Sequence, residues 1–366
     1  MNGLHSNPNK QPQEVIFTHK LHNTPHPFLT FNNSPVQQTT SQKHLGMILD
    51  TKLDFQEHLK AIFNKVNKTI GVLRKLQNIL PRPSLIAIYR SFIRPHLDYG
   101  DVIYDQSFNA SFHQKMESIQ YNAALALTGA IRGTSREKLY QELGLESLQH
   151  RRWYRKLCCF YKILKNQAPP YLYNLIPIPS NAYRTRNANA IPLYNTRHDF
   201  FKNSFLPSTI IEWNKLGSEI RNSSSLNVFK KQLLSFIRPF ANSFFKCHNS
   251  QGIKLITRLR LGLSHLRKHK FKHSFQDTLN PICSCSNDIE STTHYLLHCS
   301  NYIEERLALL NQVRSIDSQL LQQSDSLICQ LLLFGKCSLS IEENTQILNG
   351  TIEYVLSTKR FDGPLL

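Results

Sequence analysis

Between residues 54 and 165 the apolar side chains recur at spacings of three and four, and this rhythm constrains the fold most. Phe55, Leu59, Ile62, Val66, Ile70, Leu73 and Leu76 form one stripe of a helix. Asp54, with Glu57 three residues on, suits its cap, and Pro81 and Pro83 break it. A second helix is expected over 84–94, carrying Leu85, Ile88, Tyr89 and Phe92 and stopping at Pro95. A third covers 111–130 with Phe112, Met116, Ile119, Ala123 and Leu127 on one face. Thr134 and Glu137 fit a capping box for a short fourth helix, and Gly144 fits its stop. A fifth spans 147–165, with Trp153, Leu157, Phe160 and Leu164 facing inward. Its other faces carry Arg151, Arg152, Arg155, Lys156, Lys162 and Lys165. Any one of these suits a solvated face; together they read as a phosphate-facing surface.

The flanking regions differ in pattern. Residues 14–50 contain the β-prone runs EVIF and PFLTF, with NNS as a turn signal. The Pro- and Asn-rich segment 169–195 reads as a linker. Helical pattern resumes near 223–237, and the last third is helical, with Ser340 and Glu343 as a further capping box. The fold class that follows is α+β, predominantly helical.

Charge narrows the function. Lys and Arg number 44 against 25 acids, a formal net charge of +19. Such an excess points to a polyanion, nucleic acid ahead of a membrane surface, because each neutralised phosphate releases counterions. No apolar run approaches the roughly 18 residues of a membrane span, and the polar N-terminus is not a secretory signal. The richest cationic stretch is KLITRLRLGLSHLRKHKFKH, residues 254–273, with Lys254, Arg258, Arg260, Arg267, Lys268, Lys270 and Lys272 and no acid. Phe271 and Phe275 are interleaved, as suits stacking on a single strand. The plainer reading is an amphipathic helix with Leu255, Leu259, Leu263 and Leu266 in the core.

Cys283, Cys285, His294 and Cys299 give C-x-C-x8-H-x4-C. Four thiolate or imidazole ligands suit tetrahedral zinc, and a closed set makes the metal structural. His298 is a rival ligand, but adjacent residues rarely point at one ion, which favours His294. The other cysteines, Cys158, Cys159, Cys247, Cys329 and Cys337, read as reduced thiols. Asp98, Asp101 and Asp105 lie close together, and converging carboxylates hold metals in phosphoryl transfer. Turn and capping roles after a helix-ending proline are the stronger reading. No G-x-G-x-x-G, complete Walker A, H-E-x-x-H or G-x-S-x-G is present.

HLGMILDTKLDFQEHL, SFIRPHLDYGDVIYDQ, ESIQYNAALALTGAIRGTSREKLYQELGLESLQHRRWYRKL and PSTIIEWNKL resemble reverse transcriptases of jockey-like non-LTR retrotransposons, and the Cys/His cluster resembles their C-terminal zinc-knuckle-like element. The resemblance runs from about residue 8 to the end. It implies a C-terminal fragment of an RNA-directed DNA polymerase. Residues 1–52 would be a palm remnant, 53–168 a helical thumb, 169–198 a linker and 199–366 a helical C-terminal region with the knuckle at 283–299. The family's aromatic-Ala-Asp-Asp box binds the catalytic metals, but this chain contains no Asp-Asp pair. The chain is expected to begin just after that box and to be inactive alone, magnesium belonging to the full-length polymerase. By the same resemblance Lys10 would lie near the incoming nucleotide, and His44, Leu45 and Gly46 would sit in the primer-gripping strand pair. The partners implied are template–primer RNA and DNA, target DNA, and the missing palm, fingers and endonuclease, in the nucleus or cytoplasm. A non-catalytic RNA- or DNA-binding remnant, or a decayed relic, is the alternative.

Overall fold

The computed structural model describes residues 12–19, 26–31, 33–105, 110–177, 190–234, 247–336 and 338–362. The described residues are predominantly helical with three small two-stranded sheets. They form two compact units that interleave in sequence: 1–68, 95–113 and 152–230 in one, and 69–94, 114–151 and 231–366 in the other. Lys10 lies outside the described residues, as does Cys337.

The first unit opens with short strands. Thr30–Phe31 pairs antiparallel with Ser34–Pro35 across the expected turn, where Asn33 has φ 59°. Gln13–Glu14 pairs parallel with Gln37–Gln38. Ser41–His44 and Met47–Asp50 form an antiparallel hairpin with His44 opposite Met47. Its two-residue turn puts Leu45 at φ 45° and Gly46 at φ 85°, the primed geometry that matches strand twist and favours glycine.

The long helix spans Gln56–Leu76. Asp54 caps its start as expected, accepting from Gln56 N–H at 3.0 Å. Asp50 joins it, accepting from the N–H groups of Lys52, Asp54 and Phe55. Glu57 accepts from the Ser41 hydroxyl at 2.7 Å. Trp213 and Phe229 pack with Phe160 and Tyr161 of the Leu148–Leu164 helix to make the aromatic centre of this unit. Part of the expected linker is helical, Pro170–Tyr173. Another part is docked, because the Asn214 amide bonds both the N–H and the carbonyl of Ile191.

The helix expected to stop at Pro95 does not stop. Arg82–Ile88 widens into a π-helical turn, Tyr89–Ile93, and runs on through Arg94–Asp98. The proline is tolerated inside a helical run next to a wide turn. The third helix is Ala110–Thr128. The Thr134 box is absent: Thr134 donates to the Ile131 carbonyl, and Ser135 stands at the cap without a side-chain bond. Gly144 ends that helix at φ 60°. The Ser340–Glu343 capping box is present in full.

Most of this unit's core gathers around the final helix, Ile341–Ser357, which packs with Ile303–Ile316, Asp325–Phe334 and Ser250–Arg260. Leu255, Leu259, Leu309, Val313, Leu332, Ile347 and Ile352 are buried there. Close approach requires a glycine: a Cβ added at Gly252 would overlap the Ile352 side chain. No described helix is long and apolar enough to cross a membrane.

Candidate metal centre and cationic surface

The C-x-C pair sits on a tight turn. Cys283 N–H donates to the Asp288 carbonyl at 2.9 Å, and Ser286 N–H returns to the Cys283 carbonyl at 2.9 Å. Ile282 and Ile289 form an antiparallel bridge behind the turn. The other half is a π-helical turn, His294–His298. Its i to i+5 bond, from Cys299 N–H to the His294 carbonyl at 2.7 Å, sets the two ligands five residues apart on one side. Tyr295 and Leu296 are fully buried in the core behind it, so the ligand pair rests on a rigid base.

The four ligand atoms lie within 4.8 Å of one another. Cys283 Sγ and Cys299 Sγ are 3.6 Å apart, and Cys285 Sγ is 3.2 Å from His294 Nε2. A disulfide needs about 2.05 Å. Zinc–sulfur bonds of about 2.3 Å in a tetrahedron put sulfurs roughly 3.8 Å apart, and the observed spacing is close to this. His294 Nδ1 is buried without a hydrogen-bond partner, with Asp288 Oδ2 at 4.0 Å. That arrangement suits a ligand histidine, whose second nitrogen faces a carboxylate. His298 turns away to Asp325 at 2.6 Å, so the structure places His294, not His298, in the cluster. Thiol acidities split across the group. The Asn287 backbone N–H pulls Cys285 down to about 6, whereas burial pushes Cys299 up to about 12. The residues fit structural zinc, and the donor set is closed.

Beside the cluster lies the short helix Arg267–Lys272. The 254–273 stretch is not one helix, since Ser250–Arg260 ends before Gly262, at φ 71°. Glu290, 1% exposed, joins the two parts of this region. It accepts from Arg267 N–H at 2.7 Å and from Arg360 Nε and Nη2 at 2.6 and 2.7 Å. Arg267 Nη1 also donates to the Ile282 carbonyl at 3.0 Å. Sequence reasoning missed Glu290 and Arg360 as site residues; Glu290 falls inside the Cys283–Cys299 span, but Asp288 beside it offers the same signal. Arg267, Lys268, Lys272 and Phe271 are exposed, while Lys270 pairs with Asp277. His269 is half-buried against Ser264, and desolvation lowers its pKa to about 4.

The other sequence-predicted cations are placed differently. Arg151, Arg152 and Lys156 are buried rather than phosphate-facing. Lys156 Nζ is 2.6 Å from Asp105, and Arg152 is 3.5 Å from the same carboxylate and stacks over Phe112. Arg155 reaches Asp101 at 3.0 Å and Asp98 at 3.7 Å. Arg151 bonds Gln120, which also takes the Tyr89 hydroxyl. The aspartates and the cationic helix are thus each other's partners. Burial raises Asp101 to about 6 against the pull of Arg155 and Arg152. Arg258 and Arg260 are likewise turned inward, onto the Gly129 carbonyl and Glu142. His44, Leu45 and Gly46 share the tip of the hairpin, where the Tyr99 hydroxyl donates to the Leu45 carbonyl at 2.5 Å. Set against known proteins, the chain matches no family model, no curated protein and no solved structure.

Proposed function

We propose that this chain is a nucleic-acid-holding part of a non-LTR retrotransposon reverse transcriptase, with a zinc-stapled knuckle that presents a cationic helix to the phosphate backbone. The observation that carries this is the Cys283–Cys285–His294–Cys299 cluster braced through Glu290 and the Ile282 carbonyl against Arg267–Lys272. Arg267, Lys268 and Lys272 supply charge to phosphates while Phe271, half exposed, supplies a ring for a base. The net charge of +19 supports a polyanion partner. Zinc contributes the cross-link that fixes this surface, and the chain's own residues do the binding. The hairpin tip at His44–Gly46 is the candidate contact for a primer end. With no Asp-Asp pair, phosphoryl transfer has to draw its metal-binding carboxylates from another polypeptide segment.

Two measurements test the reading. Purified chain should carry one zinc and bind single-stranded RNA with an affinity that falls steeply with salt. Adding the polymerase half in trans should restore primer extension. Salt-independent binding would remove the phosphate-holding role. RNA binding with no extension in trans would favour a non-catalytic binding protein.

A further inference from the structure

The three sulfurs of the metal cluster differ in access to solvent. Cys283 is 3% exposed and Cys299 fully buried, whereas Cys285 is partly open. Cys283 Sγ and Cys299 Sγ lie 3.6 Å apart. The two arms that carry them are tied together by contacts that involve no ligand atom. Asn301 Nδ2 donates to Ser284 Oγ at 3.2 Å, and Asn287 Nδ2 to Ser300 Oγ at 3.3 Å. Arg267 Nη1 holds the Ile282 carbonyl, and Arg306 Nη2 holds the Cys299 carbonyl. Tyr295 and Leu296 anchor the second arm in the core. These ties keep the two buried sulfurs within reach of each other when the ion leaves. Closing from 3.6 Å to the roughly 2.05 Å of a disulfide is then a small side-chain movement.

We propose that peroxide exchanges the metal staple for a covalent one: Cys285 admits the oxidant, a Cys283–Cys299 disulfide replaces the ion, and the cationic surface stays folded in both states. This regulation rests on the zinc reading of the cluster. The steps follow from access and spacing. Oxygen transfers from peroxide to the Cys285 thiolate, giving a sulfenic acid as hydroxide leaves. The Cys299 thiolate attacks that sulfur, forming an S–S bond and expelling a second hydroxide. The Cys283 thiolate then attacks the Cys299 sulfur, and Cys285 leaves as a thiolate. One peroxide is reduced, two thiolates are oxidised, and two protons from solvent turn the hydroxides into water. Exchange ends at the buried pair because exposed disulfides are the more easily reduced.

The test treats the full chain, purified reduced with its zinc, with hydrogen peroxide. A chromogenic chelator reports released zinc, peptide mass spectrometry maps the disulfides, and amide exchange follows residues 264–299. The expected result is loss of the one zinc, a linked Cys283–Cys299 peptide and Cys285 recovered as a free thiol. Exchange in the oxidised chain should be as slow as in the zinc form. Adding a thiol reductant with chelator present should then speed that exchange, and adding it with zinc should restore the metal. Zinc retained under peroxide, Cys285 found in the final disulfide, or fast exchange in the oxidised chain would overturn the proposal and leave the zinc site standing. A reduced chain that carries no zinc would overturn the zinc reading and this proposal together.

Discussion

The Leu148–Leu164 and Arg267–Lys272 helices are both densely cationic, and they use their charge in opposite ways. In the first, Arg152 is 2% exposed and Lys156 6% exposed, and the two share the Asp105 carboxylate. In the second, Arg267, Lys268 and Lys272 stay in water, and only Lys270 is matched, by Asp277. The difference lies in what packs opposite. The first helix has a wide apolar stripe that must be buried, and its flanking cations go in with it and require acids. The second is six residues long with no buried residue, so its heads remain solvated. Local charge density therefore does not identify a phosphate-binding face; the partner of each cation does.

The comparison breaks first at the metal. Removing zinc should have the largest effect, since isolated zinc modules owe about 10 kcal/mol or more of folding free energy to their ion. Chelation, or Cys283→Ser, is expected to speed amide exchange across 264–299 while leaving the Leu148–Leu164 helix protected. Exchange unchanged after chelation would remove the metal from the account of this surface. Next comes Asp105→Asn, which strands Arg152 and Lys156 without their counter-charge. A loss of about 3–5 kcal/mol is expected from urea unfolding, with RNA affinity of the folded protein unchanged. Weakened RNA binding at full stability would instead make the first helix a contact surface.

Proton linkage sharpens the contrast. Asp101 has its folded pKa raised from 3.8 to about 6 by burial, so the folded state holds the proton more tightly than the unfolded chain. Its contribution to stability is greatest below about pH 4 and is lost as pH rises through about 6, up to roughly 3 kcal/mol for a shift of about two units. Asp101→Asn should flatten that slope. His269 works in the other sense. Its folded pKa is lowered from 6.5 to about 4, so its contribution is full above about 6.5 and is lost as pH falls towards 4. Stability curves of the two single variants, each subtracted from the native chain, should slope in opposite directions. The smallest stability effect belongs to the exposed cations. Lys268→Gln and Lys272→Gln should each change stability by less than about 0.5 kcal/mol. Each should lower the salt dependence of RNA binding by about 0.7 in log–log slope, one phosphate contact on a single strand. A slope unchanged in both would place the contacts elsewhere.

Much of the fold could be read from the chain, and the errors share a cause. Long helices such as Gln56–Leu76 and Leu148–Leu164 are written as repeats within a few turns, and their positions followed from spacing. So did the Cys/His cluster, because its four side chains all fall within seventeen residues and a turn and a helical turn suffice to converge them. The Ser340–Glu343 cap was legible and the Thr134–Glu137 cap was not, although the patterns look alike. A hydroxyl has several acceptors in reach, and the surrounding turn decides which one it takes.

The sequence alone determined a helical chain with a closed four-ligand cluster and a strong positive excess, since periodicity, ligand spacing and charge are local properties. Tertiary structure decided which charges remain available. Asp105 stands about fifty residues from the cations that share it, and Glu290 seventy from Arg360. Pairing over such distances depends on which faces the apolar stripes bring together, and no local pattern records it.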